Sequence, residues 1–338
     1  MIFLLFSLLL IEIFGATASS NTEDRIAVVV SIAPLAGIVE AVGSYRVSVE
    51  VLIPEGVEPH TLQASPELIK KAMEADLIVH TGHFPFEEEL VKITGKPSVG
   101  LEDYKAHGLS LSPMPGRIHT GDGTGVNMHG YWLKPDNALA IAEAVTEKLK
   151  EIDIDHSDVY TRGLNSFEAK IERLKSYINE ISDEYGLKNF KAVITFPAEA
   201  YVAEAFGIEV EESLVIGENV FVGGKALMEI EDRLRRGEVN FILSSEMAKQ
   251  MKAGEFAQRL ASDTGSPLIY VRVLTFGDLH DYTALIMYNA GVLTASIDAL
   301  EHTGTTSEQT NQWPYIIAIV VLAFIGAIEA ILLIKKGK

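Results

Sequence analysis

Short runs rich in Val and Ile alternate along the chain with stretches in which apolar residues return every three or four positions. Period-two and continuous apolar runs predict strands at Ile26 to Ile32, Val47 to Ile53, Asp76 to His80 and Pro97 to Leu101. The alternation returns later, with strands expected at Phe190 to Thr195, Ile208 to Ser213, Val239 to Leu243 and Pro267 to Val273. Strands alternating with helices build largely parallel sheets, so the fold class is α/β, in two lobes. No repeat in the residues themselves accompanies this similarity of pattern. Between the halves, Leu164, Phe167, Ile171, Leu174, Ile178, Ile181 and Tyr185 form one apolar stripe. The stripe predicts a single helix of about 30 residues and about 45 Å, with Asp155 or Ser157 to cap its start and Gly186 its end. A helix of that length can join both lobes. A coiled-coil dimer is the alternative, weakened by the lack of sustained charge pairing beside the stripe.

Two further apolar segments lie at the ends. Met1 to Gly15 is followed by Ala16-Thr17-Ala18, the small-x-small pattern of a signal-peptidase site. Glu12 and the missing basic start are irregular for a signal, and a short membrane anchor is the alternative. Trp313 to Ile334 is interrupted only by Glu329 and is long enough to cross a bilayer; a buried core helix is the alternative. Lys335, Lys336 and Lys338 follow it, and positive charge beside a span marks the cytoplasmic side. The expected organisation is a signal peptide at 1–20, a first lobe at 21–154, the joining helix at 155–187 and a second lobe at 188–302. A stalk at 303–312, a transmembrane helix at 313–334 and a cytoplasmic tail at 335–338 complete it, placing the lobes outside the cell.

Composition narrows the chemistry. A formal net charge of −19 argues against a nucleic-acid partner and gives a weak preference for cations. There is no cysteine, so disulfides, zinc thiolates, iron–sulfur clusters and thiol nucleophiles are excluded, and any metal must be held by His, Asp or Glu. No His-Glu-x-x-His or Gly-x-Ser-x-Gly motif is present, and Gly121-Asp122-Gly123-Thr124-Gly125 fits neither a Walker nor a dinucleotide loop. The expectation is a protein that is not an enzyme.

Of the nine histidines, two stand in loops suited to a ligand. His60 follows the rigid Pro54-Glu55-Gly56-Val57-Glu58-Pro59 and precedes Ser65-Pro66 at a helix start, so it lies beyond the C-terminal end of a strand, where open α/β sheets bind ligands. His129 lies in Asn127-Met128-His129-Gly130-Tyr131-Trp132-Leu133-Lys134-Pro135, again ahead of a helix and just after the glycine-rich loop Pro113 to Val126. Two neutral imidazoles on separate loops can hold zinc or a neighbouring divalent metal. His80 closes a strand, His83 sits in the loop after it and His119 lies in the glycine-rich loop, which makes each an outside candidate. His107, His156 and His302 read as surface residues.

Three stretches together resemble the metal-binding receptors of zinc and manganese ABC importers. They are Val30-Ser31-Ile32-Ala33-Pro34-Leu35, the segment Pro54 to Pro66 with its Glu-Pro-His-Thr core, and Asn127 to Ala138 with Met-His and Trp-Leu-x-Pro. Ala75 to Val79 ahead of Thr81-Gly82 is similar to the family's next strand and loop. The resemblance implies two α/β lobes joined by one long helix and a metal between them on four side chains, with His60 and His129 in the first two positions. It also implies zinc as the captured ligand, with manganese or iron as alternatives, and an ABC permease in the membrane as partner.

The second lobe departs from that pattern. Aligning Tyr201 and Phe206-Gly207 puts Phe196 where relatives carry a third His or a Glu, and Val273-Leu274-Thr275-Phe276-Gly277 replaces the usual Asp-containing stretch. Glu199 can supply oxygen instead, or be a first-turn carboxylate favoured by the helix dipole. Asp278, His280 and Asp281 can form a replacement donor set, or an Asp-capped helix start beside an exposed His. These departures leave a second reading, a metal-independent adhesion receptor on the same architecture.

Overall fold

The computed structural model describes residues 25–53, 57, 59–116, 125–217, 220–274 and 281–303. The expected signal peptide, stalk, transmembrane helix and cytoplasmic tail lie outside them. Two compact units divide the chain after Thr294, and both sheets belong to the first.

In the first lobe the order is β1 (Ile26–Val30), α1 (Ala33–Gly43), β2 (Val47–Val51), α2 (Pro66–Glu74), β3 (Leu77–Val79), α3 (Pro85–Thr94), β4 (Ser98–Val99), α4 (Leu101–Ala106) and α5 (Pro135–Ile152). All four strands are parallel, in the order β2-β1-β3-β4. Val28, Val29 and Val30 of β1 and Leu77, Ile78 and Val79 of β3 are all buried, as expected of a parallel sheet covered on both faces. Four helices carry proline in their first two positions, α2, α3 and α5 at the first (Pro66, Pro85, Pro135) and α1 at the second (Pro34), where the missing N–H costs nothing.

After α6 (Ser157–Glu184) comes the second lobe. It comprises β5 (Lys191–Ile194), α7 (Glu199–Ala205), β6 (Glu209–Ser213), a small antiparallel hairpin of β7 (Val215–Gly217) and β8 (Val220–Phe221), α8 (Gly224–Arg235), β9 (Phe241–Ser245), α9 (Lys252–Thr264), β10 (Leu268–Val271) and α10 (Tyr282–Thr303). Its parallel sheet runs β6-β5-β9-β10, so with the hairpin set aside the two lobes share one strand order. Val193 and Ile242 pack there with Leu214, Ile230, Leu234 and Leu260.

In this order the chain turns one way after a lobe's first strand and the other way after its third. The loops beyond those strands part and open a crevice at the carboxyl ends. In the first lobe that crevice lies beyond Val30 and Val79, and in the second beyond Ile194 and Ser245.

The apolar stripe on α6 is buried through Phe167, Ile171, Leu174, Ile178 and Ile181. The helix spans about 42 Å at 1.5 Å per residue and packs on α1 and α5. At Gly163 it comes so close to α1 that a Cβ would collide with the Val42 carbonyl, which is why a glycine stands there. A buried polar knot holds its start: Arg46 Nη2 lies 3.1 Å from Asp153 Oδ2, and the Tyr160 hydroxyl donates to the same oxygen at 2.6 Å. Further along, the Phe167 ring meets Tyr282 at 6.0 Å and Lys170 faces Asp281 at 3.9 Å, so α6 touches both lobes.

Among the described residues one helix, Tyr282–Leu300, is long and apolar enough to cross a membrane. Tyr282, Leu285, Ile286, Ala290 and Leu293 are buried, and Asn289 exchanges hydrogen bonds with the backbone of Arg272. That spacing and the buried polar tie make it a core helix of the second lobe.

Candidate metal centre

Beyond β3 the chain turns through Thr81, Gly82 and His83. Gly82 has φ +68 and lies against Leu101, where a side chain finds no room. The turn is held by Glu87, a buried carboxylate in the first turn of α3. Its Oε1 accepts from Thr81 N at 2.9 Å, and its Oε2 accepts from His83 N at 3.0 Å and Phe84 N at 3.1 Å. The Thr81 hydroxyl donates to the same carboxylate, and Tyr131 OH donates to Thr81 O at 2.8 Å. His83 is therefore mounted on a rigid, fully bonded turn at the crevice.

His60 arrives from two strands over, across β1, on a single 3-10 turn, Pro59–Thr61, that follows β2. His129 comes from the loop ahead of the turn Tyr131–Leu133 that feeds α5. Its N–H donates to Asn127 Oδ1 at 3.0 Å, and Gly130 takes φ +87 to redirect the chain behind it.

One donor atom from each of His60, His83 and His129 lies within 4.8 Å of the other two, and among the described residues this is the one such group of metal-binding side chains. Ring centroids are 4.9 Å apart for His60 and His83, 5.4 Å for His60 and His129, and 4.3 Å for His83 and His129. Phe84 walls the group, with its ring 5.1 Å from His60 and 4.9 Å from His83. His60 is exposed and the other two are half-buried, so the group opens to solvent on one side.

Two buried nitrogens in this group, His83 Nε2 and His129 Nδ1, have no hydrogen-bond partner. Orphaned buried nitrogens cost free energy unless something is bound to them. Burial, and then the neighbouring imidazoles His129 and His60, push His83 down to about 3; burial and His60 push His129 down to about 4. Both rings are neutral at physiological pH, with lone pairs free to ligate. Tetrahedral zinc with Zn–N of 2.0–2.1 Å separates its donors by roughly 3.4 Å, so donors within 4.8 Å of one another close by up to about 1.4 Å around an ion.

The other expected ligands are placed differently. Glu199 is fully buried, and both of its oxygens are occupied: Oε2 accepts from Phe196 N and Oε1 from Ser245 N, each at 2.6 Å. Burial raises it to about 7 against the opposite pull of those amides. It ties together the loops beyond β5 and β9, the crevice of the second sheet. Asp281 caps α10, accepting from Ala284 N at 3.0 Å and from the Thr283 hydroxyl. Asp278 and His280 lie outside the described residues. His83, an outside candidate in the sequence, joins His60 and His129; the signal pointing to it was its place directly beyond the third strand, at the crevice.

A sequence profile described as zinc-uptake complex component A, periplasmic (ZnuA), matches residues 28–296. The chain is 24% identical over 269 residues to the manganese ABC transporter substrate-binding lipoprotein PsaA of Streptococcus pneumoniae, covering 77% of this chain and 83% of that one. It is also 24% identical over 272 residues to the iron-binding protein YfeA of Yersinia pestis, covering 79% and 85%. Among solved structures, a zinc-bound ZnuA deletion mutant superposes with TM-score 0.66 at 22% identity, over 80% of this chain and 97% of that one. FpvC of Pseudomonas aeruginosa in complex with Mn2+ superposes with TM-score 0.65 at 19% identity, over 82% and 99%. These structures share the fold. The profile runs through both sheets and all three clustered histidines, and the chain belongs to the ZnuA family.

Proposed function

We propose that this protein is a receptor that captures a divalent transition metal, zinc, outside the cell and delivers it to the permease of an ABC importer. The observation that carries the reading is the convergence of His60, His83 and His129, two of them with a buried nitrogen that has no hydrogen-bond partner. Three imidazoles and no carboxylate make a borderline donor set, which favours zinc over manganese, an ion that prefers an oxygen-rich octahedron. Relatives named for manganese and iron belong to the same group, so the donor set is what selects. His83 supplies the nitrogen that Phe196 cannot, and the Phe84 wall keeps that side of the ion dry. Zinc held by three protein ligands keeps a fourth position open; His280 is assigned to it, with Asp278 beside it as the oxygen alternative. Glu199 acts as a strut of the second lobe and Asp281 as a helix cap.

Thermal unfolding of chelator-stripped protein tests the reading, because a ligand that binds only the folded state stabilises it by about 2.7 kcal/mol at one hundred times its Kd. Zinc raises the midpoint more than manganese does. His60→Ala, His83→Ala and His129→Ala each remove most of that rise, and His280→Ala removes less. Wild-type protein that shows no rise with zinc, manganese or iron is not a metal receptor, and the adhesion reading then takes its place.

The lobes lie outside the membrane in this reading, tethered by 313–334 with the lysines inside. A tag fused after Lys338 survives protease added to intact cells. Loss of the tag with internal controls spared reverses the topology.

A further inference from the structure

Among the described residues the second lobe supplies no member of the histidine group, yet it contacts the chain on both sides of His129, at Asn127 and at Gly130. Asn127 is fully buried and has every polar group bound. Its N–H donates to Ser112 O at 2.8 Å, and its Oδ1 accepts from His129 N at 3.0 Å. Its Nδ2 donates to Pro197 O at 2.8 Å, and its carbonyl accepts from the Tyr201 hydroxyl. Pro197 and Tyr201 belong to the second lobe, in the turn beyond β5 and in α7. On the other side of His129, a Cβ at Gly130 would meet Ala198 O at 3.0 Å and Ala198 Cα at 3.2 Å. Glu199 pins the same turn through Phe196 N and to β9 through Ser245 N. One run of contacts therefore leads from the second sheet through Pro197 and Asn127 to the backbone of His129.

We infer that Asn127 is a positioning residue that couples the metal centre to the second lobe: one edge of its amide fixes His129 and the other fixes the Pro197 turn. The inference rests on the reading of His60, His83 and His129 as the metal site. It assigns the second lobe a role that needs no ligand from the turn holding Phe196: it sets where His129 stands. Coupling of this kind is reciprocal, so an ion drawing His129 inward must also tighten the turn and α7 against the first lobe. Removing a partner that orients a metal ligand costs typically ten- to hundredfold in affinity.

Two variants of the full chain separate this from a purely structural bond. Asn127→Asp keeps an oxygen for His129 N and turns the other edge into an acceptor facing Pro197 O, so it cuts the tie to the second lobe. Tyr201→Phe removes the hydroxyl bound to the Asn127 carbonyl and leaves the ring in place. Zinc affinity is read by competition with a chromophoric chelator, and the second lobe by amide hydrogen exchange at 199–205 with and without zinc. In wild type, zinc slows exchange in that segment. In both variants zinc binds ten- to hundredfold more weakly and the added protection is lost. Should Asn127→Asp fail to fold, Tyr201→Phe gives the same two readouts. Wild type that binds zinc, with variants that match its affinity or keep the zinc-dependent protection, overturns the coupling while the metal site stands. Wild type that binds no zinc overturns the metal site and this inference with it.

Discussion

Glu87 and Glu199 are carboxylates buried at the crevices of the two sheets, and each holds a turn by accepting from backbone amides. They matter because histidine ligands are only as well placed as the loops that carry them. Glu199 adds a pH signature. Burial raises it from an ordinary 4.5 to about 7, so its contribution to stability is fully present below pH 4.5 and is lost as pH rises through 7. By linkage the loss is on the order of 3 kcal/mol. His83 and His129 act in the opposite sense, since their lowered values give stability that is present above pH 6.5 and lost as pH falls. Urea unfolding of metal-free wild type and Glu199→Gln isolates the carboxyl: from pH 5 to pH 8 wild type loses stability relative to the variant. A difference between the two proteins that stays constant with pH shows that Glu199 is ionised throughout.

Elements were legible wherever one kind of contact dominates. The strands β1, β3, β5 and β9 are mostly Val, Ile, Leu, Phe and Ala and largely buried, with Lys191 at the start of β5 and Ser244-Ser245 at the end of β9, so their apolar composition marks them. The stripe on α6 was equally plain, because a helix packed along one side needs an apolar residue every three or four positions. The hairpin of β7 and β8 was not foreseen: its strands are three and two residues long, too short for alternation to show, and they are defined by pairing with each other. The site divided along the same line. His60 and His129 stand in loops with distinctive neighbours, Glu-Pro-His-Thr and Met-His-Gly-Tyr-Trp, which sequence can present. His83 has no such frame. What brings it to the others is the order β2-β1-β3-β4, which sets the end of β3 beside the crevice, and that order is a long-range property of the sheet. Asp281 was read both as donor and as cap, and its bond to Ala284 N is that of a cap.

At the scale of the molecule, the two lobes repeat one strand order with different chemistry at their crevices: histidines in the first, a buried carboxylate strut in the second. The stripe on α6 spans both, and the segment carrying Asn127 and His129 is clamped between them by Ser112, Tyr201, Lys134 and Glu204. In the proposed reading, an ion held by the first-lobe histidines and completed by His280 is reported to the second lobe through this clamped segment. The central question is which atoms hold the metal. X-ray absorption at the zinc edge, on protein loaded with one equivalent, reads the first shell directly. Imidazole nitrogens from His60, His83 and His129 are expected at about 2.0–2.1 Å, with one imidazole lost in His83→Ala. A shell dominated by carboxylate oxygens, or a spectrum that His83→Ala leaves unchanged, would contradict this assignment.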